Sequence, residues 1–144
     1  MAQVKPSYEE LSEFNTIAAK LVEKFPNVYK GVDLDVIKAV AVNNKERSEK
    51  RRPWEIISAK DPLSMFCSCN YCVVVYLSDW VEMGETVKNR LVADVLFAIP
   101  DDGDGGVNPF DLKAYSPMIK TFGVDYLESD EGLDPLAEGF EWTM

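Results

Sequence analysis

The 144-residue chain contains no histidine. That excludes Ser-His-Asp and Cys-His nucleophile activation, and it excludes every metal site that depends on imidazole ligands. Cysteine is scarce, with three residues, Cys67, Cys69 and Cys72, in one short stretch. A structural zinc site needs four ligands, usually two pairs on separate segments, and the chain offers three thiols with no second pair. The expectation is reduced thiols at or near the core, in a reducing compartment. No apolar run reaches membrane-spanning length, and Met1-Ala2-Gln3-Val4-Lys5-Pro6 lacks an apolar signal region, so a cytoplasmic protein without membrane contact is expected.

Basic residues are nearly missing from the last third. Residues 101–144 hold 2 Lys and 11 Asp or Glu, a net of −9, whereas residues 1–100 balance to −1. Phosphate binding needs concentrated Lys and Arg, so this surface is not expected to bind nucleic acid or an anionic membrane directly. It permits a protein partner with a basic surface. A solvated acidic end that aids solubility is the simpler reading. The apolar content of 47% and aromatic content of 11% predict a folded chain, and the length fits one domain, 1–144, with 128–144 as an acidic C-terminal segment.

Ser7-Tyr8-Glu9-Glu10 has the spacing of a capping box. Leu11, Phe14, Ile17, Ala18, Leu21, Val22 and Phe25 then recur at helical period until Pro26, which predicts an N-terminal helix with a buried stripe. Val36 to Val42 is β-branched and predicts a strand. Asn43 to Pro53 is a polar excursion of net charge +3, and Trp54 to Ala59 predicts a second strand antiparallel to the first. Met65 to Cys72 leads into an apolar strand, Val73 to Leu77. A helix is expected from about Glu85 to Ala98, buried over much of its circumference. In it Asp94 is the only charged residue between Leu91 and Pro100. Arg90 lies four residues earlier, so a surface ion pair with Asp94 is expected, with a residual metal ligand as the alternative. Asp101-Asp102-Gly103-Asp104-Gly105-Gly106 has the composition of a tight exposed loop and lacks the full calcium-loop pattern. Asn108-Pro109 opens a predicted helix from Phe110 to Phe122, disturbed at Ser116-Pro117 and closed by Gly123. The predicted architecture is α+β: a small, mostly antiparallel sheet with an N-terminal helix, a central helix, a further helix and an acidic end.

Several segments follow one another in a particular order. They are the strand Val73-Val74-Val75-Tyr76-Leu77, then Ser78-Asp79-Trp80, the central helix, Ile99-Pro100, an acidic Gly-containing loop, Phe110-Asp111-Leu112, and Phe122-Gly123-Val124-Asp125-Tyr126. In this order and spacing the run from Cys72 to Leu127 resembles the zincin-like metallopeptidase family of phages and prophages. In that family the helix carries H-E-x-x-H before Ile-Pro, and a third His opens the next helix. The resemblance lays the motif on Asp94-Val95-Leu96-Phe97-Ala98. It puts Asp94 at the first His, Val95 at the general-base Glu, Ala98 at the second His and Phe110 at the third.

A zincin needs two His one helical turn apart on one zinc, with a Glu to take a proton from the bound water. Valine and alanine do neither. The resemblance therefore implies a zincin-like scaffold without catalytic residues or cofactor, a pseudoenzyme that works by binding another protein. Its setting would be viral or prophage, where it would inhibit a host factor, and an acidic surface competing with nucleic acid for a basic groove is one route. Partner-binding candidates are Asp101, Asp102, Asp104, Glu128, Asp130, Glu131 and Asp134, with Phe140 and Trp142 as aromatic anchors unless they dock on the domain itself. A hydrolase with a rebuilt metal site remains the alternative, with Cys67, Cys69, Cys72, Asp94 and Asp111 as weak ligand candidates, and a structural or assembly component is another.

Overall fold

The β-branched run after Val36 forms a strand whose alternate residues, Ile37, Ala39 and Ala41, are buried on one face of a sheet. The computed structural model describes residues 5–43, 52–59, 62–100, 107, 115–123, 126–127 and 133–143. In it β1 (Ser7–Glu10), β2 (Ile37–Asn43), β3 (Trp54–Ser58) and β4 (Tyr71–Tyr76) form one sheet in the order β1-β2-β4-β3. Two of the three pairings are antiparallel, and β2 and β4 run parallel, with Ile37 opposite Tyr71 and Ala41 opposite Val75. The fold is α+β.

Strand β4 is central because its sequence is apolar on both faces, and only an interior strand buries both. Tyr71, Val73 and Val75 enter the main core. Val74 and Tyr76 point the other way and form a satellite cluster with Val42, against which Val40 and Cys72 pack. Strand β3 runs antiparallel to β2, as expected, but it does not pair with it, because β4 lies between them.

A correction concerns Ser7–Glu10. It is not a capping box but the exposed edge strand β1, paired with β2. Strand β2 would otherwise present a row of unpaired backbone groups, and a four-residue ladder satisfies more of them than a cap does. Helix α1 (Ser12–Lys24) starts after Leu11, whose N–H donates to the Ala39 carbonyl at 3.0 Å, with no side-chain cap. The predicted stripe is present, with Phe14, Ile17, Ala18 and Leu21 buried.

Helices α2 (Leu63–Cys67) and α3 (Leu77–Trp80) flank β4, and α4 (Glu85–Leu96) lies in the main core. Neither short helix is foreshadowed by an apolar period. Nine α4 residues are buried, Val87 and the unbroken run Asn89–Leu96, with only Lys88 between them less covered, so the helix is buried on nearly all sides as its apolar spacing predicts. Helix α5 (Ser116–Phe122) has Pro117 in its first turn and ends at Gly123, where φ is +89°. The disturbance expected at Ser116-Pro117 is thus a helix start, and the portion expected from Phe110 to Ala114 lies outside the described residues.

Residues 133–143 return to the domain. Phe140 and Trp142 join Phe25 and Phe122 in an aromatic cluster with centroids 5.2 to 6.1 Å apart. Lys24 Nζ donates to the carbonyls of Pro135 and Ala137 and lies 5.2 Å from the Phe25 ring centre. Leu91 is fully buried where α4 meets this core. Leu91→Ala is expected to destabilise the fold by about 2–5 kcal/mol, measured by urea unfolding, since the site is packed on all sides.

Candidate functional site

A helix buried all round has no solvent face for polar residues, so each one needs a partner from another element. On α4 these are Asn89, Arg90 and Asp94, respectively 3%, 1% and 0% exposed. The Asp94 carboxylate lies beside β3 and the chain after α5. Trp54 Nε1 donates to Oδ2 at 2.9 Å, and the Tyr126 hydroxyl donates to Oδ1 at 3.0 Å. Arg52 Nη1 is 3.6 Å from Oδ2 and donates to the Tyr126 hydroxyl at 3.1 Å. The four side chains form one closed network, with each carboxylate oxygen occupied.

The expected surface ion pair between Arg90 and Asp94 is therefore corrected. Both residues are buried, and the cation beside Asp94 is Arg52. Arg90 turns to the C-terminal segment: Nε donates to the Leu133 carbonyl at 2.9 Å, Nη1 to the Tyr126 carbonyl at 3.3 Å, and the guanidinium lies 5.1 Å from the Phe122 ring centre. Arg preceding Asp by four residues is the weaker orientation on a helix, and the carbonyls offer Arg90 a planar, dry site. Asn89 Nδ2 donates to both Asp134 oxygens at 3.0 and 3.2 Å, and Asp134 also accepts the Leu136 N–H at 2.9 Å.

Burial dominates the electrostatics. It raises the Asp94 pKa to about 6, against the opposing effects of the Trp54 N–H, the Arg52 charge and the Tyr126 hydroxyl. Tyr126 is pushed upward, first by burial and then by the Asp94 charge, and the same two causes push Tyr29 upward. The Tyr29 hydroxyl is buried without a hydrogen-bond partner among the described residues. A carboxyl that titrates near 6 has the proton affinity of a general acid or base. Asp94 nevertheless lacks access: it is fully buried, and protein donors hold both oxygens.

The other positions expected to matter are dispersed. Val95 and Ala98 are fully buried in the main core. Phe110 and Asp111 lie outside the described residues, as do Asp101, Asp102, Asp104, Glu128, Asp130 and Glu131. Asp134 is tied to Asn89, and Phe140 and Trp142 are packed in the aromatic cluster, so these aromatics dock on the domain and do not stand out as anchors. Cys67 is exposed, Cys69 buried and Cys72 half-buried. Among the described residues no three Cys, Asp or Glu side chains are grouped to hold a metal ion. The chain matches no family model, no curated protein and no solved structure.

Trp54, Arg52 and Tyr126 are the partners that sequence reasoning missed. A lone Asp in an apolar helix signals that donors must exist, yet nothing local says where.

The raised Asp94 pKa has a definite sign in stability. Between about pH 4 and about pH 6 the unfolded chain ionises this carboxyl while the folded chain keeps it protonated, so the fold loses stability as pH rises through that window. Relative to Asp94→Asn, the wild type is expected to lose on the order of 3 kcal/mol between those limits and to run parallel above them. Urea unfolding of both proteins across the range measures this, and parallel curves throughout would contradict it.

Proposed function

We propose that this chain is a non-catalytic, zincin-like domain that acts by binding another protein. The observation that carries the proposal is the fate of three positions the resemblance reserves for zinc chemistry, two on α4 and one just after it. Asp94 is consumed by an internal network, and Val95 and Ala98 are core side chains without donor atoms. A helix used in this way supports a scaffold rather than a reaction.

An apolar surface elsewhere supports the binding role. On α2, Leu63, Met65 and Phe66 are 66%, 75% and 84% exposed. Three large apolar side chains within five residues of one short helix are costly to leave in water, and Met and Phe suit an adaptable protein contact. The net charge of −10 favours a partner with a basic surface, with association that weakens as salt screens the attraction. Inhibition of a host factor in a viral or prophage setting fits both features.

The test combines metal analysis with affinity capture. Purified protein is expected to carry less than about a tenth of an equivalent of zinc. It is expected to retain one protein partner selectively. Phe66→Ser with Met65→Ser should reduce the affinity at least about tenfold, or ~1.4 kcal/mol, while the unfolding midpoint stays unchanged. Stoichiometric zinc with hydrolytic activity would overturn the proposal. Partner retention unaffected by the α2 substitutions would remove α2 from it.

A further inference from the structure

The chain turns sharply where α2 meets β4. Ser68 has φ of +53°, the one non-glycine positive φ among the described residues. An L-residue pays a steric cost there, so the turn is imposed by its surroundings. Its effect is to bring the side chains on either side together: the Cys69 thiol donates to Cys67 Sγ at 3.4 Å. Cys67 is exposed at the end of α2, and Cys69 is 6% exposed beneath it.

We propose that Cys67 and Cys69 form a thiol–disulfide exchange site that closes to an intramolecular disulfide on reaction with a low-molecular-weight disulfide of the oxidised-glutathione class.

Access and geometry divide the work. Cys67 meets solvent, so it is the attacking group. The Cys69 S–H is already directed at its sulfur, so the resolving thiol stands beside the atom it must later attack. The Cys67 thiolate attacks one sulfur of the external disulfide. A Cys67–glutathione mixed disulfide forms, the external S–S bond breaks, and one glutathione thiolate leaves and takes up a proton. Cys69 then gives its proton to solvent and attacks Cys67 Sγ. The Cys67–Cys69 bond forms, the mixed disulfide breaks, and the second glutathione leaves as thiol. Two protein thiols are oxidised and one external disulfide is reduced to two thiols.

The sulfurs must approach by little more than 1 Å to reach the ~2.05 Å of a disulfide. A fully extended Cys-Ser-Cys segment would hold the Cα atoms near the upper limit for bridging, and the turn at Ser68 shortens that span. Cys72 is less well placed, since it is held in the β4 ladder opposite Ile57 and Lys38. In the dithiol form burial, and then the bond and charges of its thiol neighbours, raise the Cys69 pKa to about 11; burial persists in the mixed disulfide, so the closing step waits on Cys69 deprotonation. Closure also removes the S–H that Cys67 donates to the Leu63 carbonyl at 3.1 Å, a bond within the last turn of α2.

The experiment equilibrates the full chain in reduced and oxidised glutathione, quenches by alkylation and maps thiols by peptide mass spectrometry. The expected product is a Cys67–Cys69 disulfide in the wild type and in Cys72→Ser. Cys67→Ser, at an exposed position, should lose that bond, and Cys69→Ser should stop at a stable glutathione adduct on Cys67. The closing rate should rise about tenfold per pH unit below the Cys69 pKa. Ser68→Pro keeps both thiols but forbids the positive φ, and should slow closure at least about tenfold. The proposal is overturned if the wild type stays reduced, if it accumulates only glutathione adducts, if Cys72→Ser abolishes the bond, or if Ser68→Pro closes as fast as the wild type.

Discussion

A carboxylate in the middle of a helix that is buried all round can persist only if donors from other elements reach it. An ionised carboxyl left alone in a core would cost far more than the few kilocalories that separate folded from unfolded chains. Asp94 sets this condition here, and Trp54, Tyr126 and Arg52 meet it. The condition extends outward. Trp54 must start β3 at the height of Val75, and Tyr126 must follow α5 closely enough to point back at α4. One buried side chain thereby couples an edge strand of the sheet to the C-terminal third of the chain.

Asn89 and Arg90 repeat the device on the same helix. Their partners are the Tyr126 carbonyl, just before the acidic end, and Asp134 and the Leu133 carbonyl within it, a segment too short to hold a core alone. Polar contacts give that end direction, and the cluster of Phe25, Phe122, Phe140 and Trp142 supplies apolar burial. Its net negative charge does not prevent docking, because its carbonyls and Asp134 face donors on α1 and α4.

Rigidity and exposure are segregated as a result. The helix that the zincin-like resemblance would make catalytic is buried along most of its length, whereas α2 holds three large exposed apolar side chains and an accessible thiol. Binding surfaces tolerate such exposure when a partner covers it, and thiol exchange requires it. Both proposed activities thus draw on α2 and the turn that follows it, which the core does not consume.

The sequence by itself determined the class of the fold and its apolar scaffold. Periods of 3.6 and 2 are local properties, so the stripe of α1, the buried α4 and the strands β2, β3 and β4 are legible without long-range information. The absence of histidine was equally plain, and with it the absence of a zincin's ligands. Local signals misled where they competed with distant ones. A capping-box spacing at Ser7 yielded to the open edge of β2, and an Arg–Asp spacing on α4 yielded to partners 40 residues before Asp94 and 32 after it. Tertiary structure alone decided that β4 separates β2 from β3, that Asp94 is a buried hub, and that Cys67 and Cys69 face each other across Ser68. The physical reason is common to all three. Which backbone edge is left open, which charge loses its water and which thiols meet depend on how the elements pack, and no window along the chain contains that information.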